Sequence, residues 1–162
     1  MSFSFSKMIN SFSEFFSNPI ILSCLTSWFL SQLIKGVIVL LQIRKNNFKE
    51  ILETLFWRTG GMPSSHTAVV TSMTASVAFY EGLGSNLFAV SLFIALVIMR
   101  DAMGVRRAVG LQARAFNLMG KYSAEKMGIE FHPVKEIQGH APLEVIVGAL
   151  LGIFISAAYA WL

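Results

Sequence analysis

Apolar residues gather into four long stretches, a pattern typical of helices that cross a membrane. A transmembrane helix needs roughly 20 predominantly apolar residues, and the pattern predicts spans at about 20–43, 67–80, 87–103 and 143–162. The second stretch is short and rich in Ser, Thr and Ala, which let helices approach closely. We therefore expect the second span to be a central helix that its neighbours shield from lipid.

Two connecting segments combine apolar residues at helical spacing with charged residues. One lies at about 46–58, and the other, which is strongly basic, runs from about 105 to 127 and ends near Gly128. Both are expected to lie in the interface, as is the Phe- and Ser-rich start before residue 18. The predicted fold is all-α: a single membrane domain, built as a helical bundle of about four spans with interfacial amphipathic helices.

The composition supports this assignment. Of 162 residues, 54% are apolar and 14% charged, and the mean hydropathy is +0.62, which leaves too little polar surface for an ordinary soluble domain. The single cysteine, Cys24, lies in an apolar run and is expected to be an inert core thiol. There is no nucleotide-binding loop and no cysteine cluster, so neither a nucleic acid partner, a cofactor nor a metal is expected.

The distribution of charge predicts an orientation. The loop before the second span and the loop before the fourth carry most of the 13 basic residues, whereas the opposite side carries Lys7. By the positive-inside rule these two loops are cytoplasmic, and both termini face away from the cytoplasm. A consequence is that the starts of spans two and four and the ends of spans one and three meet on one face.

A histidine stands at the start of two of these apolar stretches, within Gly60–His66 and Gly139–Glu144. The start of a helix presents unpaired backbone N–H groups, which favour anions. Phosphate is therefore the first ligand to consider. His132, the third histidine, lies in a loop without an evident partner and is interpreted as incidental.

His140 and Glu144 are four residues apart, a spacing that puts them on one face of a helix. A carboxylate bonded to one ring nitrogen fixes the tautomer and leaves the other nitrogen free to attack or to bind a metal. Ser64 and Ser65 offer hydroxyl and backbone donors for phosphate oxygens, and His66 offers a proton for a leaving group. The alternative is that these residues only cap their helices.

Cations converge on the same face. Lys35 interrupts an apolar span, where a lone cation needs a partner or a watery cavity; snorkelling to the interface is the alternative. Arginine matches phosphate oxygens in a bidentate manner, and the candidates are Arg100, Arg106 and Arg107, with Arg58 as a possible accessory residue. Asp101 is a counter-ion for one of these cations or, less favoured, a ligand for Mg²⁺ together with Glu144.

These residues resemble the type-2 phosphatidic acid phosphatase superfamily, which includes vanadium haloperoxidases, and most closely its compact bacterial and plastid branch. The resemblance covers nearly the whole chain and rests on four segments: Gln32–Lys35, Gly60–Ala68, Asp101–Ala113 and Gly139–Val145. It implies a metal-independent phosphatase in which His140 is the nucleophile that forms a phosphohistidine. Glu144 would orient that histidine, and His66 would act as general acid and then base.

This chain departs from the superfamily pattern at several positions. Ser65 replaces a glycine, Glu144 replaces an aspartate, and Val134 occupies the position of the motif arginine six residues before His140. Lys35 is also not followed by Arg-Pro at the usual spacing. One of the three arginines 100, 106 and 107 would have to bind phosphate in place of the missing one.

A site at membrane depth favours a lipid phosphate as the substrate, with phosphatidylglycerophosphate or phosphatidate first and a polyprenyl diphosphate next. The expected location is a bacterial inner membrane or a plastid-type membrane, with the active site on the cytoplasmic side. The sequence is compatible with both a monomer and a homo-oligomer. Two alternatives from other classes are a non-catalytic protein that binds anionic lipid through the same pocket and a small transporter with a relay of Lys35, Asp101 and Glu144.

Overall fold

The computed structural model describes residues 12–42, 61–136 and 139–162. Five helices longer than two turns occupy these ranges: α1 (Pro19–Gln42), α2 (Ser65–Glu81), α3 (Asn86–Met103), α4 (Val105–Met127) and α5 (Pro142–Trp161). The predicted all-α membrane bundle is confirmed. The amphipathic segment predicted at 46–58, together with Arg58, lies outside the described residues.

Three helical stretches among the described residues are long and apolar enough to cross a membrane: Pro19–Leu41, Asn86–Met127 (which begins with α3) and Pro142–Trp161. They correspond to the first, third and fourth predicted spans. The second predicted span is α2, which has 17 residues and is shorter than the roughly 20 that a bilayer requires. Whether α2 crosses the whole bilayer, and which side each loop faces, stay predictions.

Helix α2 is the centre of the bundle. It packs against α1, α3 and α5, while α1 also contacts α5. Its buried side chains are small or carry hydroxyl groups, among them Thr67, Ala68, Ser72 and Ser76. Small residues let the helix backbones approach closely, and in α5 Gly148 and Gly152 lie directly against the backbone of α2.

The interior is held by a ladder of serine hydroxyls, and the outer surface is apolar. Ser156 of α5 donates to the carbonyl oxygen of Ser72 at 2.7 Å and accepts from Ser76 at 3.0 Å, and Ser76 lies 2.7 Å from the hydroxyl of Ser23 in α1. Large residues such as Phe154 point outward. This arrangement suits a bundle whose surroundings are hydrocarbon, where buried hydroxyls find one another and apolar side chains meet lipid.

Short caps define the turns that position the site. The hydroxyl of Ser85 accepts from the backbone N–H of Phe88 at 3.1 Å and begins α3 after a turn in which Gly82 has a φ of 84°. At the other end of α3, the chain turns at Gly104 and continues at once as α4. Among the described helices, α4 contacts α3 alone, so it projects from the bundle as a largely exposed helix.

Candidate functional site

A small open cleft lies at the end of the bundle where α2 and α5 begin and α3 ends. Both histidines that the sequence singled out line it, although they are far apart along the chain. The full lining consists of His66 from α2, Ile98, Asp101 and Ala102 from α3, Arg106 from α4, and His140 just before α5. The topology thus brings two histidines and an Asp–Arg ion pair into one cleft.

His140 is fixed on both its backbone and its ring. Its N–H donates to the carbonyl oxygen of Ala102 at 3.1 Å, which ties the start of α5 to the end of α3. The residue is 5% exposed, and Nδ1 of its ring lies 2.8 Å from Oε2 of Glu144. Since an ionised carboxylate can only accept hydrogen bonds, this contact places the proton on Nδ1 and leaves Nε2 with a free lone pair.

Glu144 joins the two histidine motifs. Its Oε2 also accepts from the backbone N–H of Ala141 at 3.2 Å, as expected of an acidic residue in the first turn of a helix. Its own carbonyl oxygen accepts from the N–H of Ser64 at 2.9 Å. The carboxylate is therefore held by its helix start, and the backbone of the same residue anchors the segment that carries His66.

The segment Pro63–Ser65 forms a buried helix start. The hydroxyl of Ser64 caps α2 by accepting from the N–H of Thr67 at 3.4 Å and from the Thr67 hydroxyl at 3.0 Å. Ser65 is buried as well, whereas His66 is exposed on the cleft. The capping interpretation holds for Ser64, and the same cap leaves His66 free to meet a ligand.

Lys35 does not snorkel out of the bundle. It is 5% exposed, and its Nζ donates to the hydroxyl of Ser65 at 3.3 Å. The carboxylate of Glu144 is within electrostatic reach of the ammonium group. A buried cation beside a polar helix start raises the positive potential of this region, which favours an anion.

Of the arginines predicted to bind phosphate, Arg106 lines the cleft. Its Nε donates to Oδ2 of Asp101 at 2.7 Å. Arg100 and Arg107 are exposed and are not among the cleft residues of the described chain. The backbone of Arg107 packs closely against Gly139, where a side chain would collide with it.

The two other predictions concern His132 and a metal. His132 is exposed, its Nε2 lies 3.7 Å from Oε1 of Glu130, and it is not among the residues that line the cleft. Within residues 12–42, 61–136 and 139–162, no three His, Cys, Asp or Glu side chains come together as they would around a metal ion. Asp101 contacts Arg106 and Glu144 contacts His140 instead of sharing a ligand set.

The sequence did not single out the residues that carry the chain back from α4 to His140. Asn117, buried on α4, forms hydrogen bonds with the backbone of Val134 and with the carboxylate of Glu136. Phe131 packs on Gly120 and against the ring of Phe116. The one sequence signal that could have indicated this contact is Asn117 itself, a polar residue close to Phe116 and Gly120 on α4.

Comparison with known proteins identifies relatives over most of the chain. The sequence model of a protein family described as "Divergent PAP2 family" matches residues 16–155 of this chain. The uncharacterized membrane protein YuiD of Bacillus subtilis (strain 168) is 36% identical over an alignment 167 positions long, which covers 91% of this chain and 98% of YuiD. No solved structure matches significantly. All the cleft residues described above lie inside the matched range.

Proposed function

Since the chain belongs to the divergent PAP2 family, we propose that it is a membrane-embedded phosphatase that hydrolyses the phosphomonoester of a lipid. The observation that carries the proposal is the pairing of two histidines in one cleft. One of them, His140, is bonded through Nδ1 to a carboxylate, and the other, His66, lines the same cleft without being buried. Nucleophilic catalysis requires such an oriented imidazole and a separate proton donor.

In the first step, Nε2 of His140 attacks the phosphorus of the substrate, the P–N bond forms and the bond to the lipid oxygen breaks. Glu144 stabilises the positive charge that develops on the imidazole, because its carboxylate accepts the Nδ1–H at 2.8 Å. Protonated His66 gives its proton to the departing alkoxide, which leaves as an alcohol. The products of this step are the alcohol and a phosphohistidine.

In the second step, neutral His66 takes a proton from a water molecule as the oxygen of that water attacks phosphorus. The P–N bond breaks, inorganic phosphate leaves, and both histidines return to their starting states. We assign the stabilisation of charge on the phosphoryl oxygens to the arginine that lines the cleft and to two buried donors, the Lys35 ammonium and the Ser65 hydroxyl, which lie 3.3 Å apart at the start of α2. Preorganised donors of this kind lower the barrier of phosphoryl transfer.

The substrate is proposed to be a lipid because of what surrounds the cleft. Exposed large apolar side chains cover the outer faces of α3, which contributes residues to the cleft, and of α5, which begins just after His140; Phe93 and Phe154 are examples. Acyl chains would stay in hydrocarbon while the headgroup enters. Phosphatidylglycerophosphate and phosphatidate are the leading candidates, a polyprenyl diphosphate is next, and the cleft is proposed to face the cytoplasm.

Phosphate release from a panel of lipid phosphates by the purified protein in detergent tests this proposal. We expect His140→Ala to reduce kcat by at least about a thousandfold and His66→Ala by about a hundredfold or more. His132→Ala is the matched control, because this third histidine is exposed and does not line the cleft, and the activity of this variant should equal that of the unchanged protein. Trapping of a phosphorylated protein that is lost in His140→Ala would support the intermediate. Release that survives both changes would exclude the mechanism.

A second candidate is a protein that binds anionic lipid without hydrolysing it. Val134 replaces the motif arginine, and the arginine in the cleft is partly neutralised by Asp101, both of which favour weaker activation of phosphate. This candidate predicts that a lipid phosphate binds to His140→Ala as tightly as to the unchanged protein and that neither protein releases phosphate. The same panel therefore separates the two candidates.

A further inference from the structure

Three arginines lie close to the turn between α3 and α4, at positions 100, 106 and 107, and the structure distinguishes them. Arg100 belongs to the last turn of α3, and Arg107 lies with its backbone against Gly139. Arg106 differs from both because its side chain lines the cleft together with His66 and His140. It is also a charged neighbour of His66, together with His140, Lys35 and Asp101.

The turn at Gly104 is what brings Arg106 to this place. In an uninterrupted α-helix, residues five apart are separated by about 140° around the axis and do not face each other. Asp101 and Arg106 are five apart and nevertheless in contact, because α3 ends at Met103 and α4 begins at Val105. The break therefore directs the guanidinium group of Arg106 back towards the end of α3.

The contact with Asp101 uses only one part of the guanidinium group. Asp101 Oδ2 accepts from Nε at 2.7 Å, and a guanidinium has four further N–H donors on its two terminal nitrogens. The outer edge formed by these nitrogens is the one that matches two oxygens of a phosphate. Arg106 is 46% exposed and Asp101 39%, so this edge is open to a ligand.

We propose that Arg106 is the oxyanion-binding arginine of the cleft and that Asp101 is a positioning residue that orients its guanidinium group. The pair takes the place of the superfamily's motif arginine, whose position is occupied by Val134 in this chain. The proposal rests on the proposed function for the identity of the ligand, a phosphoryl group. It does not require turnover, because an oxyanion would bind to the same edge whether or not a P–O bond is broken.

Binding of inorganic phosphate and of orthovanadate to the purified protein in detergent, measured by calorimetry, tests Arg106 directly. We expect Arg106→Gln to weaken binding roughly tenfold to a hundredfold, the range of a charge-assisted bidentate contact. Arg106→Lys keeps the charge but not the two-pronged edge and should recover only part of the loss. Arg114→Gln, which removes an exposed arginine from the same helix, is the charge-matched control and should bind as the unchanged protein does. An equal loss in Arg106→Gln and Arg114→Gln, or a loss in Arg100→Gln or Arg107→Gln alone, would overturn the assignment.

Phosphate binding by Asp101→Ala tests the role of Asp101, because the two possible roles predict opposite changes in affinity. If Asp101 were only a negative charge that competes with phosphate, Asp101→Ala would tighten phosphate binding. If it orients Arg106, Asp101→Ala weakens binding several-fold, and Asp101→Asn, which keeps an acceptor oxygen for Nε, recovers part of the loss. In a turnover assay the effect should lie mainly in KM. Tighter binding in Asp101→Ala would refute the positioning role.

The outcomes also separate this proposal from the phosphatase itself. Phosphate binding that depends on Arg106 in a protein that never releases phosphate from a lipid would uphold the binding site and reject the enzyme. Turnover that depends on His140 but is unchanged in Arg106→Gln would uphold the enzyme and reject the assignment of Arg106. Thermal unfolding of each variant shows whether a loss of binding reflects misfolding, since removing one partner of an exposed ion pair should leave the melting temperature nearly unchanged.

Discussion

Asn117 holds Val134 as a neighbouring strand would. Its side-chain amide donates to the carbonyl oxygen of Val134 at 2.9 Å, and its side-chain oxygen accepts from the backbone N–H of the same residue, also at 2.9 Å. Asn117 is 7% exposed, although it lies on a helix that is otherwise largely open to its surroundings. Because Val134 precedes His140 by six residues, this contact fixes the chain shortly before the proposed nucleophile.

We therefore expect Asn117→Ala to impair the enzyme more than it impairs the fold. The change removes two hydrogen bonds to the backbone of Val134 and one to the carboxylate of Glu136. The net cost is about 1 kcal/mol, because water can reach these exposed partners, but the segment that leads to His140 is loosened. Hydrogen exchange should show faster exchange of the Val134 amide, and kcat should fall several-fold at nearly unchanged thermal stability. Gln112→Ala, at an exposed position of the same helix, is the control. Unchanged exchange at Val134 would show that the contact does not hold this segment.

The carboxylate of Glu144 is expected to act through its charge more than through its shape. Glu144→Gln keeps an oxygen that can accept from Nδ1 of His140 and from the N–H of Ala141 but no longer stabilises a positively charged imidazole. By analogy with other carboxylate–histidine pairs, kcat should fall on the order of a hundredfold to ten thousandfold while KM changes little. Glu130→Gln, at an exposed carboxylate beside His132, should leave both constants unchanged. A Glu144→Gln variant of normal kcat would remove Glu144 from the mechanism.

Close packing of α5 on α2 is expected to depend on Gly148. A Cβ at this position would lie 2.5 Å from the carbonyl oxygen of Ser64, which is backbone and cannot move aside without shifting the start of α2. Gly148→Ala should therefore lower the free energy of unfolding by about 1–3 kcal/mol, the usual cost of overpacking, and reduce activity as well. Gly84→Ala is the matched control, because a Cβ there meets nothing within 4 Å. Equal melting temperatures of the two variants would contradict the tight contact.

The contacts that the sequence predicts are those set by the period of a helix. His140 and Glu144 are four residues apart on one helix start, so their contact follows from local geometry. Asp101 and Arg106 touch because the helix is interrupted at Gly104, and a continuous pattern of apolar and basic residues does not reveal whether two helices or one long helix result. Periodicity therefore predicts the helices and the contact between His140 and Glu144, but not which arginine enters the cleft.

The contacts between segments that are distant along the chain could not be predicted from the sequence, for a different reason. Serine is compatible with a cap, a surface or a buried hydrogen bond, and its hydroxyl has no preferred partner until the helices are packed. The predicted centrality of α2 followed from its small residues. The pairing of Ser156 with Ser72 and Ser76 depends on the rotation of α5 about its axis, which composition does not specify.

This serine ladder gives the last prediction, which concerns stability alone. Removal of the Ser156 hydroxyl by Ser156→Ala leaves the Ser76 hydroxyl with its bond to Ser23, and Ser76→Ala leaves Ser156 bonded to the carbonyl oxygen of Ser72. Each change should therefore destabilise the protein modestly, by about 0.5–1.5 kcal/mol. The double variant should lose less than the sum of the two, with a coupling energy of roughly 0.6 kcal/mol, as found for hydrogen bonds between membrane helices. Unfolding of the four proteins in mixed micelles measures this coupling. Strict additivity would mean that the two hydroxyls do not bond in the folded bundle, because only groups that share an interaction depart from additivity.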